Sequence, residues 1–440
     1  MMRQSISLAI FSVFLAIPAT PNPNASPEAA KLNHQGLELL QKKQYDQAIA
    51  LFRQALQLQP EFPDALDNLG KALDASGNDT EAIADFDKAI KIAPENANLY
   101  ADKGMALFHE GKYEDSAAAY RQALEHHKDF AEAQNGLGAA LLHLNRVDEA
   151  IAAFRAAIAL NPKYPDALGN LGSALLAENK PADALPYLRK AQSLRPDQPD
   201  LLENYAHALD AAGQPHEAVA AYHKLTLREP NQPAPWAHLG YAYAKNKNEE
   251  KAIAAFQKSL SLKSDQPEVL VALGQAQLDQ QKNADAIQSF EKALSLKPDD
   301  FYAIYNLATA YFKQKDYAKS ASYYEKAFSL KPDYPDALVG LAASQLNANQ
   351  LDAAIATYQK LTPLKPDDAN IRFNYGSALF NANKFQEAAD SYREAIRLNP
   401  QFAHAHYNLA QSLLRLNDAA GAKTEFAEAH RLDSSLNPPN

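Results

Sequence analysis

The sequence predicts an all-α chain built as a tandem array, and three observations predict it. The dipeptide Leu-Gly recurs at 69–70, 137–138, 171–172, 239–240 and 273–274, with spacings of 68, 34, 68 and 34 residues, so the period is 34 with two copies disguised. Glycine is sparse, 15 in 440 residues, while Ala and Leu are abundant, a mix that favours helices. Apolar residues fall at offsets of three and four, as in Leu66, Leu69 and Leu73, or Ile49, Phe52 and Leu56. That is the period of a helix with one buried face.

Starting the first repeat at Ala29 fits twelve units of 34 without insertion or deletion, ending at residue 436. The eighth position is Gly in eight repeats and Ala in four (Ala206, Ala308, Ala342, Ala410). The twentieth is Ala in ten repeats, with Ser116 and Ser320 in the others. Small residues at both places let two antiparallel helices approach closely, and a larger side chain would overpack at a cost of about 1–3 kcal/mol. The twenty-fourth position is Phe or Tyr in eleven repeats, Leu188 being the exception, and fills the space the small residues leave. Proline at the thirty-second position, in nine repeats, stops the second helix. Six repeats open with Pro, as at Pro63, Pro165 and Pro335, where a helix tolerates it.

This pattern resembles the tetratricopeptide repeat family. Repeat seven carries it almost whole, as Trp236-x-x-Leu239-Gly240-x-x-Tyr243 followed by Ala252-x-x-x-Phe256, with Ser264 in place of the closing proline. The resemblance covers residues 29–436. It implies a helix–turn–helix per repeat and a right-handed superhelical α-solenoid whose inner groove is lined by the first helices. No single hairpin buries both its faces, so neighbours stack to make the core. At the C-terminal end, the normally apolar twenty-first position becomes Lys423 and the twenty-eighth becomes His430. Both changes suit a terminal cap that wets the last face, and the sequence reads as an array complete at that end, with 437–440 a polar tail.

The N-terminus differs from the repeats. Met1-Met2-Arg3 is followed by an uncharged apolar run from Ser5 to Ile17 and by Pro18-Ala19-Thr20, the pattern of a secretory signal peptide over residues 1–20. Cleavage is expected between Ala19 and Ala25, residues 21–28 read as a flexible linker, and the mature chain is expected in the periplasm or outside the cell. The apolar run is too short to span a bilayer, which takes roughly 20 residues, and no other segment is apolar enough. With no cysteine, disulfides and thiolate chemistry are excluded. A net charge of −10 without basic clusters argues against a nucleic-acid partner.

Catalytic signatures are absent from the sequence: it holds no phosphate-binding GxxxxGK[ST] loop, no GxSxG elbow and no HExxH helix. Gly136-x-Gly138 falls inside a repeat helix with no strand before it. His404 and His406 are two apart and His126 and His127 adjacent, neither being ligand spacing on a helix. Carboxylates such as Asp46, Asp148 and Glu250 read as helix starts and solvated faces. No cofactor and no metal are expected.

The expected working surface is the groove. Positions two, five, nine and twelve of each first helix form one stripe, with position six beside it. Asparagine takes that sixth position at Asn68, Asn170, Asn204, Asn306, Asn374 and Asn408, and an amide both donates to and accepts from a peptide backbone. The row is similar to the asparagine ladder in the helical arm of O-linked N-acetylglucosamine transferases, but His34, Asp102, Gly136, His238, Ala272 and Gly340 interrupt it. Local hydrogen bonding between neighbouring helices is the alternative use of these amides. The stripe is acidic in repeats two and six (Asp64, Asp67, Asp74; Asp200, Glu203, Asp210). In repeats nine to twelve it is aromatic and apolar (Tyr302, Tyr305, Phe312, Val339, Leu346, Phe373, Phe380, Tyr407, Leu414). Aromatic residues are enriched in binding hot spots; packing between adjacent first helices is the alternative. Family members that grip a C-terminal carboxylate carry basic residues at the fifth and ninth positions, and here only Lys71 qualifies, so that mode is not expected. The function expected is a non-catalytic scaffold or adaptor for peptide or protein segments, in envelope assembly or secretion. Self-association as a structural protein, or an accessory arm of a glycosyltransferase-like enzyme, stands as the alternative.

Overall fold

The computed structural model describes residues 26–437, and among them it holds 24 helices and no strand. They run in order as twelve hairpins, from α1 (Pro27–Gln41) and α2 (Tyr45–Leu58) to α23 (Ala403–Arg415) and α24 (Ala419–Leu432). The expected leader, residues 1–20, lies outside the described residues, as do 21–25 of the expected linker and 438–440 of the tail. Pro27 and Glu28, assigned to the linker from the sequence, belong to α1 instead. Ser26 caps that helix, its hydroxyl accepting from the Ala29 amide at 3.2 Å, and Pro27 takes the first turn.

Each hairpin follows the repeat logic. In α3 (Pro63–Ala75) and α4 (Asp79–Ile92), a Cβ added to Gly70 would lie 2.7 Å from the Phe86 ring. Gly36 against Phe52, Gly138 against Phe154, and Gly274 against Phe290 are equally tight. The small eighth residue therefore seats the ring of the twenty-fourth, and each ring so buried contributes about 1.5–3 kcal/mol. Serine is tolerated at the twentieth position because its hydroxyl has an acceptor. Ser116 donates to the Gly104 carbonyl at 2.6 Å, and Ser320 to that of Ala308 at 2.9 Å.

Between the two helices of every repeat, the fifteenth residue adopts a left-handed conformation. Gly77, Gly111 and Gly213 do so, and so do nine others from Lys43 to Asn417. After α3 the Gly77 amide donates to the Asp74 carbonyl and the Asn78 amide to that of Leu73, which caps the last turn and reverses the chain. Second helices end two residues before their proline, as Leu58 does before Pro60. Helix α20 (Leu351–Leu361) is shorter, 11 residues, because Pro363 interrupts it first.

The described residues divide into two compact units, 26–230 and 231–437. Within each unit consecutive first helices touch one another, whereas consecutive second helices stay apart. The first helices thus line the inner side of each unit. Position twenty-one packs forward, as with Ile49, Ile151, Ile253 and Ile355, all buried, whereas Lys423 and His430 are exposed.

Candidate functional site

The first-helix faces of the two units carry different chemistry. In the N-terminal unit the expected groove asparagines are inside the packing. Asn68 Nδ2 donates to Asn33 Oδ1 at 3.0 Å, Asn170 Nδ2 to Asn135 Oδ1 at 3.0 Å, and Asn204 Nδ2 to Ser173 Oγ at 2.9 Å. All three donors are buried. Reading them as an open ladder is therefore corrected: their amides bond the neighbouring helix. The first two pairs are separated by 35 residues, one repeat plus one, because a first helix is offset by one residue against the next.

The same register builds a buried ion cluster. Lys71 Nζ lies 2.7 Å from Asp67 Oδ2 on its own helix α3 and 3.0 Å from Asp102 Oδ2 on α5 (Ala97–His109). Burial alone would lower the Lys71 ammonium, but Asp102 and Asp67 outweigh it and hold it above its ordinary value. One ammonium cannot neutralise both carboxylates, and burial pushes the Asp102 carboxyl up to about 7 despite Lys71. Asp74 in turn is held by His109 Nδ1 at 2.8 Å. The acidic stripe expected in repeat two is thus largely paired within the fold.

In the C-terminal unit the stripe stays partly open. Tyr302 on α17 (Phe301–Lys313) is 60% exposed. Tyr305, Phe312, Phe373, Phe380 and Tyr407 are half-buried. Each ring packs edge-on or tilted against one beneath it: Phe312 on Tyr317 at 5.3 Å, Phe380 on Phe385 at 5.4 Å, Tyr407 on Phe426 at 5.2 Å. Val339 and Leu346 also pack against this core while remaining half-buried, and Leu414 is exposed. So the rings serve the core with one side and leave the other available.

Among the expected amides here, Asn306 and Asn374 are half-buried and make no side-chain hydrogen bond among the described residues. Asn408 is half-buried beside Tyr392, whose hydroxyl donates to Ser377 Oγ at 3.2 Å. Two of the interruptions have a steric reason: the rings of Tyr120 and Tyr324 press on position six of the following repeat, where Gly136 and Gly340 leave room for them.

The sequence reading missed a second aromatic layer at the last position of the repeat. Tyr334 meets Tyr305 at 5.5 Å and Phe301 at 5.1 Å, and Phe402 meets Phe373 at 4.8 Å. Lys331 caps the first cluster, its Nζ 4.4 Å from the Phe301 centroid and 4.7 Å from that of Tyr302. The signal was available, since Phe62, Phe130, Tyr164, Tyr334 and Phe402 occupy one place in the period.

Stacked helical hairpins with a half-open inner face define a repeat scaffold of the protein-interaction class. The chain belongs to the tetratricopeptide repeat family. Tetratricopeptide models match residues 34–97, 101–165 and 146–199, then 175–240 and 311–372, then 376–417. The model of the tetratricopeptide domain of cytochrome c-type biogenesis protein H matches residues 224–335. Among solved structures, the chain is similar to YrrB, described as a TPR protein with an unusual peptide-binding site. The identity is 27%, over 42% of this chain and 96% of that one, with a TM-score of 0.40. Cut9 in the APC/C hetero-tetramer Cut9-Hcn1 is 15% identical over 93% of this chain and 94% of that one, with a TM-score of 0.40. Yeast Tom70 is 20% identical over 92% of each chain, with a TM-score of 0.35. A search of curated proteins gives no match. No helix among the described residues is long and apolar enough to cross a membrane.

Proposed function

We propose that the chain is a non-catalytic scaffold that holds an extended peptide or protein segment on the first-helix face of residues 231–440. The observation that carries this is the row of half-open rings beside amides that the fold leaves without partners. Tyr302, Tyr305, Phe312, Phe373, Phe380 and Tyr407 supply apolar contact, and Asn306 and Asn374 supply backbone hydrogen bonds. Asn68, Asn170 and Asn204 position helices and take no part.

Export, and a role in envelope assembly or secretion, belong to the same proposal. The leader pattern of residues 1–20 supports export, and the likeness of residues 224–335 to a biogenesis-protein domain supports an assembly role. Fusing residues 1–25 to a reporter active only outside the cytoplasm tests export directly, and an inactive fusion refutes it. For binding, mature protein is used as bait on the native envelope fraction, with mass spectrometry of the retained proteins. The reading expects one or two proteins retained by the wild type and lost when Phe373, Phe380 and Tyr407 are all changed to Ala. Retention unchanged by the triple substitution contradicts the aromatic face as the site.

A further inference from the structure

At the junction of repeats two and three, three ligand-type side chains converge from three helices. Asp74 ends α3, Asp79 begins α4 and His109 ends α5. One potential ligand atom from each lies within 4.8 Å of the other two. His109 Nδ1 is 2.8 Å from Asp74 Oδ1, and the Asp74 side chain is only 10% exposed. Asp79 Oδ1 is shielded from solvent yet has no hydrogen-bond partner. Leaving a carboxylate oxygen in that state costs free energy, and an ion supplies what is missing.

The surroundings are short of positive charge. Glu110 stands beside the cluster, taking a hydrogen bond from Thr80 at 3.1 Å and pairing with Lys112 at 3.0 Å, so Lys112 is already engaged. The cluster itself has two carboxylates and one imidazole.

We propose that Asp74, Asp79 and His109 form a binding site for a divalent transition-metal ion. One imidazole and two carboxylates make a mixed nitrogen–oxygen set that Zn2+ accepts, leaving a fourth position for water. Ca2+ and Mg2+ prefer oxygen alone. His109, a third exposed, gives the ion a path from solvent. Since the ligands come from two successive repeats, the ion braces repeat two against repeat three. Spacing arguments on one helix do not see this site, because Asp74 and His109 stand 35 residues apart, the register of neighbouring first helices.

The test uses untagged full-length protein treated with EDTA and titrated calorimetrically with Zn2+ at pH 7.5. One saturable site is expected in the wild type, with a rise in Tm on adding the metal. Asp79→Asn and His109→Gln are each expected to weaken binding by about tenfold or more, whereas His430→Gln, an exposed histidine of the other unit, leaves it unchanged. Asp79→Asn keeps the side-chain shape and removes charge repulsion, so it folds, and circular dichroism verifies the helicity of each variant. Absence of saturable binding, or an affinity unchanged in both Asp79→Asn and His109→Gln, overturns the proposal. The latter result places the bound ion elsewhere on the chain.

Discussion

Residues 26–230 and 231–437 are built from the same repeat, but they use their first helices differently. In the N-terminal unit, Asn68, Asn170 and Asn204 are buried and bonded to the preceding repeat, and Lys71 is closed between Asp67 and Asp102. In the C-terminal unit, Asn306 and Asn374 keep free amides, and the stripe beside them is aromatic and half-open. The comparison teaches that position in a repeat does not decide a residue's job. What decides is whether the neighbouring repeat offers a polar partner within reach. Asn33, Asn135 and Ser173 do so for Asn68, Asn170 and Asn204; the places one repeat plus one before Asn306 and Asn374 are Val271 and Val339, and there the amide stays open.

The sharpest break of this comparison is Lys71→Met. It leaves the buried Asp102 carboxylate facing the half-buried Asp67, and a loss of about 3–5 kcal/mol is expected. Hydrogen exchange should report opening of residues 27–230 with little change in 231–437; equal loosening of both units would remove the distinction. Next come Gly136→Ala and Gly340→Ala, one in each unit, where a Cβ would strike the Tyr120 and Tyr324 rings. Each is expected to cost about 1–3 kcal/mol in denaturant unfolding. Gly340→Ala should be largely rescued by Tyr324→Leu, which shortens the side chain it strikes.

Asn170→Ala and Asn374→Ala give the direct contrast. The first strips a buried partner from Asn135 and is expected to cost about 1–3 kcal/mol without affecting partner binding. The second is expected to change stability by less than about 0.5 kcal/mol while weakening binding. Reversal of the two results would exchange the roles assigned to the units. The last effect concerns pH. Asp102 binds its proton more tightly folded, up to about 7, than its ordinary value of 3.8. The native state therefore holds more protons between those values, and the contribution of Asp102 is full below about 4 and lost as pH rises toward 7. Asp102→Asn is expected to flatten that slope and raise stability by about 1 kcal/mol above pH 7, as thermal unfolding across pH 4–8 will show.

Much of the fold was legible because the repeat is a chemical template read twelve times. Gly70 and Phe86, Gly138 and Phe154, and Ser116 in place of alanine all follow from steric fit within one hairpin. The left-handed turn at the fifteenth position went unread: Gly77, Gly111, Gly213 and five asparagines carry its signal, but Lys43, Lys247, Gln281 and Lys315 mask it. Side chains that meet across repeats were harder. Asn68 with Asn33, Asp102 with Lys71, and His109 with Asp74 depend on the one-residue offset between first helices, which no single repeat encodes. Hence the places of the rings followed from the repeat, whereas the fate of Asn68, Asn170 and Asn204 was decided by a neighbour 31 to 35 residues away.

The most direct test places a photo-reactive phenylalanine analogue at Tyr302, Phe380 or Leu414, and in parallel at Asn98, an exposed first-helix position of the N-terminal unit. Irradiation in the presence of the captured partner follows. Cross-links from the three C-terminal positions and none from Asn98 are predicted. Cross-links from Asn98, with none from Phe380 or Leu414, would contradict the assignment of the binding face to residues 231–440.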